Sequence, residues 1–180
     1  MADSNITKRA LAASLKSLMS QQPFSKISIG DICDKCEMNR KSFYYHFHDK
    51  YELVNWIFER EFVTVSKSKL YPNLWDAFYD LCKYLYDNKE FYRCAFLIDG
   101  QNSFRDYFIS VCKAMFAQKL YRTTEDSEIA EFQADFLAEG LKSTLQNWLT
   151  KRECISAEDF SEKVKVSIYN IASLVNQNNK

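Results

Sequence analysis

The sequence predicts an all-α protein: an N-terminal three-helix helix-turn-helix domain followed by a larger helical domain. Three observations carry that reading. Three glycines and two prolines in 180 residues are too few turn formers for a fold of many short strands. Apolar residues recur at intervals of three and four, the repeat of one helical face. Residues that cap helix starts stand just ahead of these periodic segments. At 47% hydrophobic and 27% charged, the composition is that of a folded chain rather than a disordered one. A chain of this length buries enough surface to fold without a disulfide or a metal.

The elements follow in order. Leu11, Leu15 and Leu18 share one face of a first helix, with Thr7 as its expected cap and Pro23 beyond its end. Ser28 and Asp31, three apart, form a capping-box pattern ahead of a short second helix with Ile29, Ile32 and Cys33 facing inward. After a break at Cys36-Glu37-Met38, Asn39 can cap a third helix running to about Phe47. Asp49 can cap a fourth, with Leu53, Val54, Ile57 and Phe58 inward. Pro72 suits the start of the next helix. Further helices are expected at about 73–87, 89–98, 103–119, 128–149 and 157–176, with breaks at Gly100 and at 122–127. We divide the chain into residues 1–49, the helix-turn-helix domain, and 50–180, the helical remainder.

Net charge is zero, yet residues 1–50 carry +3 and the rest −3, an asymmetry that turns the N-terminal unit toward anions. The third helix is more specific. At about 100° per residue, Arg40, Lys41, Tyr44, Tyr45 and His48 fall on one side and Phe43 and Phe47 on the other. Two cations and two phenols on a face that packing does not require are suited to the edges and phosphates of duplex DNA. Arg40, Lys41 and Ser42 at the helix start can reach guanine acceptors or phosphates, and tyrosine hydroxyls are common phosphate donors.

Residues 24–53, within a match of about 6–58, resemble the DNA-binding domain of the tetracycline-repressor (TetR) family of regulators. Ser42, Phe43, Tyr44, His46, Phe47, Lys50 and Leu53 stand at that family's motif positions. The resemblance implies a dimeric transcription regulator whose partner is double-stranded DNA bearing a palindromic operator. Asn39, Arg40, Lys41, Ser42 and Tyr44 would then meet bases or adjacent phosphates. Tyr45, His46, Lys50 and Ser28 would hold the DNA backbone. Cys36-Glu37 departs from the family's Ala-Gly turn, and a glutamate at a positive φ costs on the order of 1 kcal/mol.

The C-terminal part is similar to the subgroup that includes the dihydroxyacetone-kinase operon regulator. The cues are Trp56-Ile-Phe-Glu, Asn88-Lys-Glu-Phe-Tyr with Phe96, and Phe136-Leu-Ala-Glu-Gly-Leu141 with Trp148-Leu149. Apolar stripes along 132–149 and 160–175 suggest an antiparallel helix pair. In the family such a pair meets its mate across a two-fold axis, which makes Phe136, Leu141, Leu145, Trp148, Ile168, Ile171 and Val175 candidate dimer contacts. The same stripes could instead cover the chain's own core. Between them and the N-terminal unit lies an aromatic-rich stretch, where the family encloses a pocket for a small-molecule or protein effector. Tyr92, Phe96, Tyr107 and Phe108 are the candidates here, with core packing as the alternative.

Other signals carry no chemistry. Cys33-x-x-Cys36 has no second pair and no histidine at ligand spacing, so structural thiols are expected, with no metal and no cofactor. His46 and His48 diverge on a helix. No nucleophile–base set or phosphate loop is present, so an enzyme is not expected. The polar start and the absence of any run of 18 apolar residues point to a cytoplasmic protein without a membrane partner. One functional alternative stays open: a co-regulator acting mainly through protein or ligand binding, with weak DNA affinity of its own.

Overall fold

Local capping chemistry lays out the helices. In the computed structural model, which describes residues 2–122 and 124–177, α1 spans Ala2–Met19, α2 Ile29–Lys35 and α3 Arg40–His46. A single 3-10 turn, Phe24–Lys26, lies between the first two. α1 begins well before Thr7, which therefore sits inside the helix and does not cap it. Ser28 and Asp31 form the full capping box: the Asp31 N–H donates to Ser28 Oγ, and the Ser28 N–H donates to Asp31 Oδ2. Asn39 Oδ1 accepts from the Ser42 N–H and Asp49 Oδ1 from the Glu52 N–H, each at 2.8 Å.

Helix α4 starts as Lys50–Phe58, widens into a π-turn at Glu59–Val63 and finishes as Thr64–Lys67. The π-turn carries Phe62 and Val63 into the core while Glu61 stays exposed. Then come α5 (Leu74–Asp87), α6 (Lys89–Ala95), α7 (Phe104–Leu120), α8 (Ser127–Thr150) and α9 (Ala157–Gln177), with no strand among the described residues. Asn73, not Pro72, starts α5, its Oδ1 accepting from the N–H groups of Trp75 and Asp76. Ser103, Asp126 and Ser156 do the same for α7, α8 and α9. α6 ends short of the expected 98, and the chain turns through Gly100 at φ +117° and Asn102 at φ +63°.

One hydrophobic core runs through the molecule. Leu11 and Leu15 of α1, Ile32 of α2, Phe43 of α3 and Leu53 and Ile57 of α4 are wholly buried together. Farther along, the Phe58 ring meets Phe62, Tyr84, Tyr92, Phe104 and Phe108 at centroid distances of 5.4–6.2 Å. Ala130, Ala134 and Ala138, buried at four-residue spacing, let α8 lie close along α7. α9 packs on α5, and Trp148 stacks on both Tyr86 and Phe160.

The turn between α2 and α3 is a Schellman motif. The Met38 N–H reaches the Cys33 carbonyl at 2.9 Å and the Glu37 N–H the Asp34 carbonyl at 3.3 Å. That geometry puts Glu37 at φ +57°, where a Cβ is crowded. Glu37→Gly is therefore expected to stabilise the protein by about 0.5–1 kcal/mol, the relief of the left-handed backbone exceeding the added entropy of the unfolded chain. A higher urea midpoint at unchanged slope would verify this, and a lower midpoint would refute it.

Candidate nucleic-acid interface

Helix α3 has seven residues, about 10 Å of length, and its two sides are sharply different. Phe43 and Phe47 are buried, their rings 5.8 Å apart, and Phe47 packs edge-on against Trp56 of α4. On the other side Arg40 and Lys41 are exposed, as are Tyr44 at 58% and Tyr45 at 81%. Among the described residues, the ring contacts of those two phenols are with Phe43 and His46, their neighbours in α3. Asn39 and Ser28 are also exposed, while Ser42 and His46 are half-buried.

The partners of these groups divide them. Asn39 and Ser42 are tied to each other, since the Ser42 hydroxyl also donates to Asn39 Oδ1. The Ser28 hydroxyl donates to Asp31 Oδ2, and these bonds, with Arg40 and Lys50 nearby, hold the Asp31 carboxyl below its usual range. Partial burial, and then the charge of Lys8, push the His46 imidazole below its ordinary value, so at neutral pH it offers a single N–H and no full charge. Tyr45 meets His46 edge-on at 4.9 Å.

Lys50, expected on the DNA backbone, is placed differently. Its Nζ donates to the carbonyls of Phe24 and Ile27, both at 2.7 Å, and lies 4.3 Å from the centre of the Phe24 ring. Partial burial holds its pKa below the ordinary lysine value. The ammonium therefore ties the start of α4 to the segment ahead of α2, with two of its three donors already used.

Two contributors escaped the sequence reading. A Cβ on Gly30 would come within 2.7 Å of Arg40 Nη2, so this glycine leaves the room in which the Arg40 guanidinium lies across the start of α2. Lys8 of α1 stands 5.5 Å from the Phe47 ring and 5.9 Å from that of Trp56, beside His46. Neither is visible from spacing, because each depends on a neighbour far along the chain. The surface as a whole offers cationic and neutral donors on a helix narrow enough for the major groove, and no acidic residue within α3 opposes them.

The other candidate residues lie apart from this surface. Tyr92, Phe96 and Phe108 are wholly buried in the ring cluster around Phe58. The Tyr92 hydroxyl is 2.7 Å from that of Tyr84, which donates to Glu61. Burial drives both phenols far above their ordinary pKa, so they stay protonated. The Tyr107 hydroxyl donates to Glu59 at 2.7 Å. Two cavities, of about 720 and 180 Å³, are lined by other residues. Along the apolar stripes, Leu145 and Trp148 belong to the chain's own core, Trp148 donating its ring N–H to the Ile155 carbonyl. Both are therefore unavailable to a second copy. Leu141 is half-buried, while Phe136 (70%), Ile168, Ile171 (60%) and Val175 are exposed.

No helix among the described residues is long and apolar enough to cross a membrane. Comparison with known proteins adds the following. The family model of bacterial regulatory proteins of the tetR family matches residues 10–57, and that of a transcriptional regulator C-terminal region matches 73–170. The chain is similar to the HTH-type dhaKLM operon transcriptional activator DhaS of Lactococcus lactis subsp. lactis (strain IL1403), 32% identical over 110 residues. That match takes in 61% of this chain and spans 58% of the relative's length. The fold is similar to a solved dihydroxyacetone kinase operon activator DhaS, with a TM-score of 0.68 at 22% identity, covering 93% of this chain and 97% of that one. It is equally similar to a TetR transcriptional regulator from Streptococcus agalactiae 2603V, with a TM-score of 0.68 at 22% identity over 90% and 93%.

Replacing Lys50 by methionine keeps the stem but removes the donors that satisfy Phe24 and Ile27. We expect a loss of about 1.5–3 kcal/mol in unfolding free energy, measured by urea denaturation. Unchanged stability would mean that the ammonium is not a structural tie.

Proposed function

The chain belongs to the tetR family of bacterial regulatory proteins, and from that membership we propose that it is a sequence-specific DNA-binding transcription regulator acting as a cytoplasmic homodimer. The observation that carries the reading is the two-sided α3: Phe43 and Phe47 anchored in the core, with Arg40, Lys41, Tyr44 and Tyr45 free on the outside. In this reading Arg40, Lys41 and Tyr44 meet base edges or adjacent phosphates. Tyr45, His46 and Ser28 contact the DNA backbone, and Asn39 and Ser42 shape the helix start. Lys50 contributes by fixing where α4 begins. The co-regulator alternative is not favoured, since the outward side of α3 stays open and carries Arg40 and Lys41 exposed. The relatives are transcriptional regulators rather than enzymes.

Dimerisation is proposed through α8 and α9. Phe132 and Phe136 of α8 and Ile168, Ile171 and Val175 of α9 turn an apolar face outward that the described residues leave exposed. A two-fold axis through that face would present two α3 helices to the half-sites of a palindrome. The effector, a small molecule or protein, is proposed to act at the aromatic cluster that includes Tyr92, Phe96, Tyr107 and Phe108. Those rings would have to separate to admit it. Tyr107 and Tyr84 reach Glu59 and Glu61 of α4, so rearrangement there bears directly on the helix that carries α3's support.

With an operator found by selection from random duplexes, Arg40→Ala and Tyr44→Ala are each expected to weaken binding by about 1–3 kcal/mol at fixed salt. Their urea midpoints should match the parent's, because both side chains are exposed. Fluorescence anisotropy measures the affinity, and unchanged binding in both variants would overturn the assignment. Phe136→Glu combined with Ile171→Glu should convert a dimer to a folded monomer in sedimentation. A parent that already sediments as a monomer would remove the dimer from the proposal.

A further inference from the structure

The larger cavity, about 720 Å³, is a cleft between α1 and α4 and lies within the size range of small-molecule sites. It is separate from the aromatic cluster. Its lining is mostly apolar and includes Ala12, Ala13, Val65 and Trp56. Arg9 and Lys16 from α1 and Arg60 and Glu61 from α4 also line it. Glu61 is already engaged, pairing with Lys16 and accepting from Tyr84. The side chains of Arg9 and Arg60, one from each helix, have no hydrogen-bond or ion-pair partner among the described residues.

Two unpaired guanidiniums lining an open cleft together with a tryptophan form an arrangement that intrachain packing does not use. Guanidiniums suit the planar, two-oxygen geometry of a carboxylate, and a tryptophan ring suits a flat apolar body. We propose that this cleft is a binding site for an organic anion with a flat apolar body, its acid group held between Arg9 and Arg60 and its body on Trp56. Such a ligand would bridge α1, which supports α3 from within the head, to the π-turn of α4. The site does not depend on the regulator reading, and its test needs no DNA.

The probes are 1-naphthoate and its uncharged counterpart 1-naphthalenemethanol, titrated into the full chain at low salt by calorimetry. The expected result is saturable binding of one naphthoate per chain with a Kd below about 1 mM. The alcohol should bind at least about tenfold more weakly, as should naphthoate to the Arg9→Gln, Arg60→Gln double variant, since each loses the charge-assisted bonds. Both side chains are exposed, so the melting temperature of the ligand-free double variant should equal the parent's. Trp56→Phe should abolish the change in tryptophan fluorescence that accompanies binding. Absence of saturable binding, equal affinity for the alcohol, or undiminished affinity in the double variant would each overturn the proposal.

Discussion

A helix of seven residues cannot hold its own shape in water, because nucleating it costs more than its few hydrogen bonds return. The burial of Phe43 and Phe47 is therefore the interaction on which the outward face of α3 depends. Each ring contributes roughly 1.5–3 kcal/mol by leaving water, far more than the intrinsic propensity of so short a segment. Their seat is built by others: Leu11 and Leu15 from α1, Leu53 and Ile57 from α4, and Trp56 closing one edge. Ordered chemistry on the surface is thus a consequence of apolar order beneath it. The caps at Ser28, Asn39 and Asp49 determine where each short helix starts, and the Schellman turn at Glu37 determines where α2 stops.

Helix α4 belongs to both halves of the molecule. Its first turns complete the core under α3, and Phe58, a few residues on, is the hub of the ring cluster that α5, α6 and α7 supply. The π-turn sits between that hub and the helix's end. From it Glu61 reaches Lys16 on α1 in one direction and Tyr84 on α5 in the other, and Tyr84 continues to the buried Tyr92 on α6. Tyr92 has no exposure, so its hydroxyl has only protein to satisfy it, and the partner it has is joined to the head through Glu61.

What was legible in the sequence was local. The starts of α2, α3 and α4 could be read because an N-cap and the amide it satisfies lie three residues apart. Thr7 misled because α1 runs on ahead of its apolar repeat, where nothing in the spacing marks a beginning. The two faces of α3 were legible from Phe43 and Phe47. What Lys50 does was not, since the carbonyls it meets lie 23 and 26 residues away and only the folded chain brings them near. The stripe on α8 shows the same boundary: periodicity identified an apolar side running from Phe136 to Trp148. It could not say that Leu145 and Trp148 turn into the chain's own core while Phe136 stays outside. A hydrophobic pattern specifies that a face must be covered and is silent about what covers it.

Regulation of a molecule built this way has a natural scale. The head and the body share α4 and a few polar joints: the Lys16–Glu61–Tyr84–Tyr92 chain, the Tyr107–Glu59 bond and the bond from the Asn55 side-chain N–H to the Asn102 carbonyl. Each neutral link in such a chain is worth about 0.5–1.5 kcal/mol net, and a link involving a charge somewhat more. An effector that breaks one or two of them shifts the balance between two arrangements of the head by roughly 1–3 kcal/mol, a change of about 5–150-fold in affinity at a distant site. The apolar core under α3 is worth several times that, so such an effector can tilt the head without melting it. A regulator needs both magnitudes: a support strong enough to keep the reading helix intact, and a polar joint weak enough for a small ligand to change.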